Sequence, residues 1–260
     1  MVQAKVKLIS NTKIRHNYFH CVLEAGRIAK EAVPGQFVNV KLSENLDPLL
    51  RRPLSIHRVG GSKVEILYEV VGKGSKILSQ KRCGEYLDII APLGNGFSVN
   101  YTRCPILVAG GMGVAPLLFL AEQLIQESKL KNKNQPLIFI GAKTKNKILC
   151  AAELKKFGCV VKIATDDGSK GFKGYVAGFL KKELSTIDYK LATIYACGPK
   201  PMLKEVFMIA KSYKIPAQIS LEEHMACGIG ACLGCVVDTK QGFKRVCVDG
   251  PVFLGDEIVW

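Results

Sequence analysis

The chain has 260 residues, of which 48% are apolar and 23% charged, and it carries a formal net charge of +15 and ten cysteines. These proportions are those of a soluble globular protein with room for two domains and a short third segment. Its start has no signal-peptide core, no apolar run reaches 18 residues and the lysines form no block, so we expect a cytoplasmic protein that binds neither membrane nor nucleic acid.

Residues 1–100 are predicted to form a small antiparallel β-barrel. Val2–Ile9 alternates apolar and polar residues, Gln36–Leu42 does so more loosely, and Val64–Val71 is a longer strand candidate. Turn signals such as Pro34-Gly35 separate these short strands, and regular punctuation of this kind is typical of a barrel.

Two motifs in this first segment indicate a flavin site. In Arg52-Pro53-Leu54-Ser55 an arginine fork can bind a pyrophosphate while the serine hydroxyl faces a ring edge. Gly72-Lys73-Gly74-Ser75 precedes a helical turn at Lys76–Ser79, which Ser75 is predicted to cap, leaving free N–H groups for an anion. Each motif alone is equally well read as a surface ion pair or a turn, but both at barrel-like spacing favour the flavin.

Residues 101–216 are predicted to form a Rossmann-like domain with a parallel sheet. Continuous apolar runs, each followed by a helix-like stretch, are typical of strands buried on both faces. The runs are Pro105–Ala109, Leu137–Ile140, Val160–Ala164 and Thr193–Ala196.

Glycine turns after two of these strands indicate a nicotinamide site. The first contains Gly110, Gly111 and Gly113, with Pro116 in the first helical turn that follows. Its alternative reading is a tight turn without a ligand. The second turn is Cys197-Gly198-Pro199, where Cys197 would face the nicotinamide ring as a positioning residue.

An acidic pair follows a third strand of this segment. Asp166 and Asp167 would repel the extra phosphate of NADP and so favour NAD, unless both are only turn residues.

Residues 217–260 are rich in glycine and cysteine and too short for a core of their own. Their cysteines follow the pattern Cys227-x4-Cys232-x2-Cys235-x11-Cys247, the spacing of plant-type [2Fe–2S] clusters. The small residues between them allow backbone N–H groups to approach the sulfurs. Structural zinc is the alternative, although zinc ligands are usually paired as two short knuckles. Most of the other six cysteines are interpreted as small buried hydrophobes.

These motifs together resemble the electron-transfer subunits of B-type dihydroorotate dehydrogenases, within the ferredoxin–NADP reductase-like superfamily. The resemblance runs from Arg51–Ser55, through Pro92–Phe97, Gly110–Pro116 and Cys197–Pro199, to Ser220–Cys232 and Cys247–Phe253. It implies FAD bound by Arg52 to Ser55, by Leu67, Tyr68 and Glu69, and by Gly74 and Ser75. Glu69 departs from the family, which usually has a basic residue there, so backbone contacts are expected from that position.

The resemblance also implies a function within pyrimidine biosynthesis. A separate FMN-containing subunit would oxidise dihydroorotate, with two copies of each subunit in a heterotetramer, and electrons would reach NAD through [2Fe–2S] and FAD. Flavin belongs between the other two because nicotinamide accepts hydride whereas the cluster carries single electrons. No catalytic acid or base is nominated in this chain. The alternative is the small subunit of an NADH-dependent ferredoxin–NADP oxidoreductase or sulfide dehydrogenase, in which an aspartate typically replaces one cluster cysteine.

Overall fold

The computed structural model describes residues 1–43, 45–99, 104–131, 135–186 and 191–260. The chain forms two compact units, each assembled from separate stretches of sequence. The barrel unit contains Met1–Gly96, Glu223–Val237 and Phe243–Pro251, and the sheet unit contains Phe97–Glu222, Asp238–Gly242 and Val252–Trp260.

The barrel unit is built on a closed barrel of six antiparallel strands in the order β1-β2-β5-β4-β3-β6, which confirms the predicted barrel. Its strands are β1 (Val2–Arg15), β2 (Tyr18–Glu24), β3 (Phe37–Lys41), β4 (Arg52–Gly60), β5 (Lys63–Glu69) and β6 (Tyr86–Leu93), and its helices are α1 (Gly26–Glu31) and α2 (Lys73–Gln80). Alternate residues such as Leu8, Leu23 and Ile66 are fully buried and fill the interior.

Two element boundaries in this unit differ from the sequence prediction. Strand β1 extends to Arg15 because its second half pairs with β2 in a hairpin, where exposed side chains give no alternation signal. Helix α2 begins at Lys73, three residues before the predicted turn, because Gly72 takes the extended backbone of an N-cap. Ser75 therefore lies inside the helix, and its hydroxyl accepts the N–H groups of Val71 and Gly72 at 2.9 and 3.1 Å.

The sheet unit contains a seven-stranded sheet in the order β10-β9-β8-β7-β11-β12-β15, parallel except for the last strand, as predicted for a Rossmann-like fold. Its elements before the C-terminal segment are β7 (Cys104–Gly110), α3 (Val114–Lys131), β8 (Leu137–Ala142), α4 (Ala151–Phe157), β9 (Val160–Thr165), β10 (Phe172–Lys173), α5 (Val176–Leu184), β11 (Ala192–Cys197) and α6 (Lys200–Ser212). The apolar runs form the central strands, and Leu107, Phe139 and Ile194 are among their fully buried residues.

The C-terminal segment contributes to both units. Strands β12 (Ala217–Ser220) and β15 (Val252–Leu254) complete the sheet, and β13 (Val236–Thr239) pairs with β14 (Gly242–Arg245). The proposed division into domains 1–100, 101–216 and 217–260 stays a prediction, and its first boundary, at Asn100, lies outside the described residues. None of the helices in the described ranges is both long and apolar enough to cross a bilayer.

Candidate functional site

The four C-terminal cysteines lie together in the barrel unit. The Sγ atoms of Cys227 and Cys232 are 3.3 Å apart, and the thiols of Cys235 and Cys247 contact each other. Cys235 and Cys247 are buried, and the other two are half-buried. Four converging thiols at the plant-type spacing are a donor set that fits a [2Fe–2S] cluster.

The loop between the first two cysteines directs backbone N–H groups at the sulfur of Cys227. The N–H groups of Ile229 and Cys232 lie 3.5 and 3.4 Å from that sulfur. Burial disfavours the Cys227 thiolate, but these hydrogen bonds, with others from the Cys232 thiol and the Ala231 N–H, lower its pKa to about 6. The loop therefore favours the charged form in which a cysteine binds iron.

Cys247 lies in the turn that follows strand β14. Burial, together with the adjacent Cys235, raises the pKa of its thiol to about 12. Arg245 braces this turn, since it donates to the carbonyl of Gly230 at 3.0 Å and pairs with the carboxylate of Asp249 at 3.2 Å. The backbone N–H and the guanidinium of Arg245 lower the pKa of Asp249, which stays ionised at neutral pH.

The three predicted flavin-binding segments lie at one end of the barrel. Strand β4 starts with Arg52–Ser55 and runs antiparallel to β5, which ends with Leu67–Glu69, so both segments are at the same end. Helix α2, with Gly74 and Ser75 in its first turn, follows β5 directly. The fold thus gathers residues that are far apart in the sequence.

Within this group, Arg52 lies over the start of α2. A Cβ atom on Gly74 would come within 2.9 Å of the Arg52 Nε, so the arginine side chain packs directly on this turn and would have to shift if the residue were larger. Arg52 donates to the backbone carbonyls of Leu50 and Arg51, whereas Arg51 is paired with the carboxylate of Asp88 at 2.9 Å. An arginine beside a helix N-terminus suits a pyrophosphate.

Tyr68 has a different environment from the one expected of a ligand-binding side chain. Its ring is buried and stacks on Phe19, and its hydroxyl donates to Asn11 Oδ1 at 2.9 Å. Desolvation raises the pKa of its hydroxyl well above the usual range. Any contact between this position and a cofactor would come from the main chain.

In the sheet unit, the two predicted nicotinamide turns touch each other. Strands β7 and β11 are adjacent and parallel, with Cys197 opposite Ala109, so their carboxyl ends meet. A Cβ atom on Gly198 would come within 3.0 Å of the Gly110 backbone, and one on Gly110 within 2.8 Å of Pro199. Gly111 has a φ of +54°, and Pro116 lies in the first turn of α3. This is the position at which open α/β sheets bind ligands.

The thiol of Cys197 is protonated at neutral pH. Burial raises its pKa to about 12, although a hydrogen bond with Ser220 opposes the shift. A neutral thiol suits a positioning role, because nucleophilic attack requires the thiolate.

The acidic pair follows β9 as predicted. Asp167 accepts the N–H and the hydroxyl of Ser169 at 2.9 and 2.6 Å, and these bonds lower its pKa. Its carboxylate is therefore ionised and stabilises the turn, and the predicted preference for NAD over NADP stays a prediction.

Sequence reasoning missed Arg245, Asp249 and Asn39, which all support the cysteine loops. Arg245 and Asp249 are two of many charged residues and carry no distinctive signal. Asn39 donates from Nδ2 to the carbonyl of Cys227 at 3.0 Å. Its signal was present, since it is a polar residue inside the apolar strand Phe37–Lys41.

Two family profiles match the chain. The profile described as the iron–sulfur cluster binding domain of dihydroorotate dehydrogenase B matches residues 222–259, and an oxidoreductase NAD-binding domain matches residues 107–207. The chain therefore has an iron–sulfur cluster-binding region and an NAD-binding region, as predicted.

Three known proteins illustrate the similarity. The dihydroorotate dehydrogenase B (NAD(+)) electron transfer subunit of Desulforamulus reducens is 41% identical, over 98% of this chain and 97% of that protein. The structure of an NADH-dependent reduced ferredoxin–NADP oxidoreductase, solved in the context of flavin-based electron bifurcation, is 31% identical with a TM-score of 0.86, covering 99% of this chain and 90% of that one. A ferredoxin–NADP+ reductase from Neisseria gonorrhoeae with bound FAD and NADP shares the fold, with 15% identity, a TM-score of 0.68, and coverage of 81% and 91%.

The barrel, the parallel sheet and the four-cysteine segment define an NAD-linked iron–sulfur oxidoreductase with a ferredoxin reductase-like fold. The same electron-transfer-subunit name is borne by relatives 37–42% identical to this chain. The chain belongs to the family of dihydroorotate dehydrogenase B (NAD(+)) electron transfer subunits. It is thus the electron-transfer part of an enzyme whose catalytic subunit is a separate chain, which confirms the predicted class.

Proposed function

We propose that this chain carries electrons from the FMN of a dihydroorotate-oxidising partner to NAD+, using a [2Fe–2S] cluster and FAD, within pyrimidine biosynthesis. The observation that carries the proposal is the convergence of the four thiols, with backbone N–H groups directed at the sulfur of Cys227. Hydrogen bonds to a ligand sulfur favour the more negatively charged, reduced state of an iron–sulfur cluster.

The binding residues in this proposal are those that the sequence predicted, and their grouping in the fold supports them. The cluster is held by Cys227, Cys232, Cys235 and Cys247. Arg52 and the N–H groups of the first turn of α2 would hold the pyrophosphate of FAD, and Ser55 and the main chain of Leu67–Glu69 would contact the rest of the cofactor. NAD lies at the turns containing Gly111 and Cys197, where small residues admit a close approach of the backbone.

The chain's own contribution is to bind and orient these groups. When bound, FAD accepts single electrons and delivers them as hydride, which neither of the other two groups can do. Cys197 presents a neutral thiol beside the nicotinamide position, and Asp167 presents a negative charge that favours NAD over NADP. No side chain of the described residues is assigned a proton transfer.

The partner in this proposal contains FMN and forms a heterotetramer with two copies of each chain, in the cytoplasm. Support comes from the family, whose members are named as the electron transfer subunit of dihydroorotate dehydrogenase B, a name that implies a separate catalytic subunit.

The test has two stages. Anaerobically purified full-length chain is expected to contain iron, acid-labile sulfide and FAD, and to reduce an artificial acceptor with NADH. Co-purification with the partner is expected to yield dihydroorotate-dependent reduction of NAD+. Protein that is saturated with FAD but contains neither iron nor acid-labile sulfide would overturn the cluster assignment. A partner without FMN would overturn the dihydroorotate route.

A second candidate function follows from the similarity to the ferredoxin–NADP oxidoreductase structure. In that case the chain would be the small subunit of a complex that couples NADH to ferredoxin and NADP. The thiolate ligand at Cys227 favours the first function, because an aspartate is typical of that second group. Ferredoxin-dependent NADP reduction by the co-purified complex, without dihydroorotate oxidation, would favour the second.

A further inference from the structure

Asn39 occupies a buried position in the middle of β3. It is 1% exposed, and its neighbours Val38 and Val40 are completely buried. Its cross-strand partner on β4 is Pro53, a residue of the proposed flavin motif. Directly opposite residues of antiparallel strands share a face, so the Asn39 side chain lies on the same face as that of Pro53.

The amide of Asn39 contacts the first cysteine of the cluster loop. Its Nδ2 atom donates to the carbonyl oxygen of Cys227 at 3.0 Å. The next residue, Gly228, has a φ of +70°, and a Cβ atom there would collide with the Asn39 amide. The peptide after Cys227 is thus held between one hydrogen bond and one steric contact.

The two polar atoms of this amide differ in their partners. Asn39 Oδ1 is buried and accepts no hydrogen bond from any residue that the structure describes, whereas Nδ2 donates to Cys227. A leucine here would remove only the donor and leave the Cys227 carbonyl without it. The contact with Cys227 therefore gives a reason for an asparagine between the buried residues Val38 and Val40.

We propose that Asn39 is a positioning residue for the cluster. By fixing the peptide after Cys227 it keeps the N–H groups of Ile229 and Cys232 directed at the Cys227 sulfur. These N–H···S bonds stabilise the reduced cluster, so the Asn39 amide raises the reduction potential of the cluster. The inference rests on the proposed function, since it requires the cluster on the four cysteines.

The test compares Asn39→Leu with Asn11→Leu in the full-length chain. Asn11 is the matched control because it belongs to the same barrel and has both amide atoms paired, with Tyr68 and with the backbone of α2 and its C-cap. The measurements are thermal unfolding of the cluster-free chain, the EPR spectrum and midpoint potential of the reconstituted cluster, and the rate of iron loss to a chelator.

We expect Asn39→Leu to have a more negative midpoint potential, an altered EPR spectrum and faster iron loss than wild type, with a melting temperature lowered by the loss of one hydrogen bond. Asn11→Leu should melt at a lower temperature with the wild-type cluster signature. A wild-type potential and spectrum in Asn39→Leu would overturn the inference, as would an equally large shift of potential in Asn11→Leu. Should the leucine variant fail to fold, Asn39→Ala replaces it, and its potential and spectrum decide by the same criteria.

Failure of the inference is distinguishable from failure of the proposed function. If wild-type protein binds no cluster, the proposed function falls. If wild type binds the cluster and both Asn39 variants retain its spectrum and potential, only the role of Asn39 falls.

Discussion

Gly113 packs directly against the carbonyl group of Cys197, with no space for a side chain between them. A Cβ atom on Gly113 would meet the carbonyl of Cys197 and lie 2.7 Å from the Gly198 nitrogen. The contact joins the ends of β7 and β11, so the spacing of the two predicted nicotinamide turns depends on the absence of a side chain at Gly113.

Replacing Gly113 with alanine should therefore impair NADH binding. The backbone atoms of Cys197 have to move, at a cost of about 1–3 kcal/mol, and the two turns separate. We expect KM for NADH to rise roughly 5- to 150-fold, the factor to which that free energy corresponds. Steady-state reduction of an artificial acceptor by NADH measures this effect. Gly178→Ala is the control, because nothing lies near its Cβ position in α5 and alanine should stabilise that helix by about 0.5–1 kcal/mol. Equal KM values in the two variants would contradict the prediction.

Arg52 and Arg51 should respond differently to substitution by alanine. Arg52 donates to the carbonyls of Leu50 and Arg51 and lies over the first turn of α2. Its loss should therefore weaken FAD binding by about 1.5–3 kcal/mol, the usual worth of a hydrogen bond to a charged group. Equilibrium titration of the FAD-free chain with FAD measures the change.

The partner experiment uses Arg51→Ala. Arg51 donates to both the carboxylate and the backbone carbonyl of Asp88. Loss of the arginine should therefore lower the melting temperature while FAD affinity stays near wild type. If Arg51→Ala lost more FAD affinity than Arg52→Ala, our assignment of the pyrophosphate contact would be wrong.

Cys232→Ala should abolish the iron–sulfur signals and leave flavin binding intact. Its sulfur is 3.3 Å from that of Cys227, so its removal opens the ligand set, whereas the proposed flavin residues lie on β4, β5 and α2. Iron and sulfide assays with visible spectra measure both outcomes. In Cys83→Ala, which replaces an exposed cysteine that only donates to the carbonyl of Ile9, full cluster content is expected. Retention of the cluster by Cys232→Ala would exclude it as a ligand.

The pH dependence of Cys197 can be tested directly. Since burial holds its pKa at about 12, the thiol is neutral from pH 6 to 9, and its alkylation should be slow across that range. In the unfolded chain the pKa of this cysteine is near its usual value of 9.0. Above that pH the unfolded chain therefore binds fewer protons than the folded chain, and the contribution of Cys197 to the free energy of unfolding falls as the pH rises.

Mass spectrometry after iodoacetamide treatment measures the alkylation, and Cys197→Ser should retain part of the NADH oxidation rate. Rapid labelling at pH 7, or complete loss of activity in the serine variant, would indicate a reactive thiolate.

Sequence patterns predicted the two architectures because both depend on short-range periodicity. The cysteine spacing and the glycine turns could also be recognised in the sequence, because metal ligation and phosphate binding both need residues within a few positions of one another. Asn39 and Arg245 were not predicted because their roles arise from contacts across 188 and 15 residues, with Cys227 and Gly230, which local spacing does not encode. The start of α2 was predicted at Lys76 instead of Lys73 because Ser75 was taken for an N-cap that Gly72 provides.

The path of the C-terminal segment limits how a form of the protein without the cluster can be made. Because β12 and β15 are strands of the seven-stranded sheet, cutting the chain at residue 216 would strip two strands from that sheet along with the cysteines. A truncated version would expose the flank of β11 and invite aggregation. The cysteine-containing segment therefore cannot be removed without disrupting the sheet, and a protein without the cluster is better obtained by replacing individual cysteines in the intact chain.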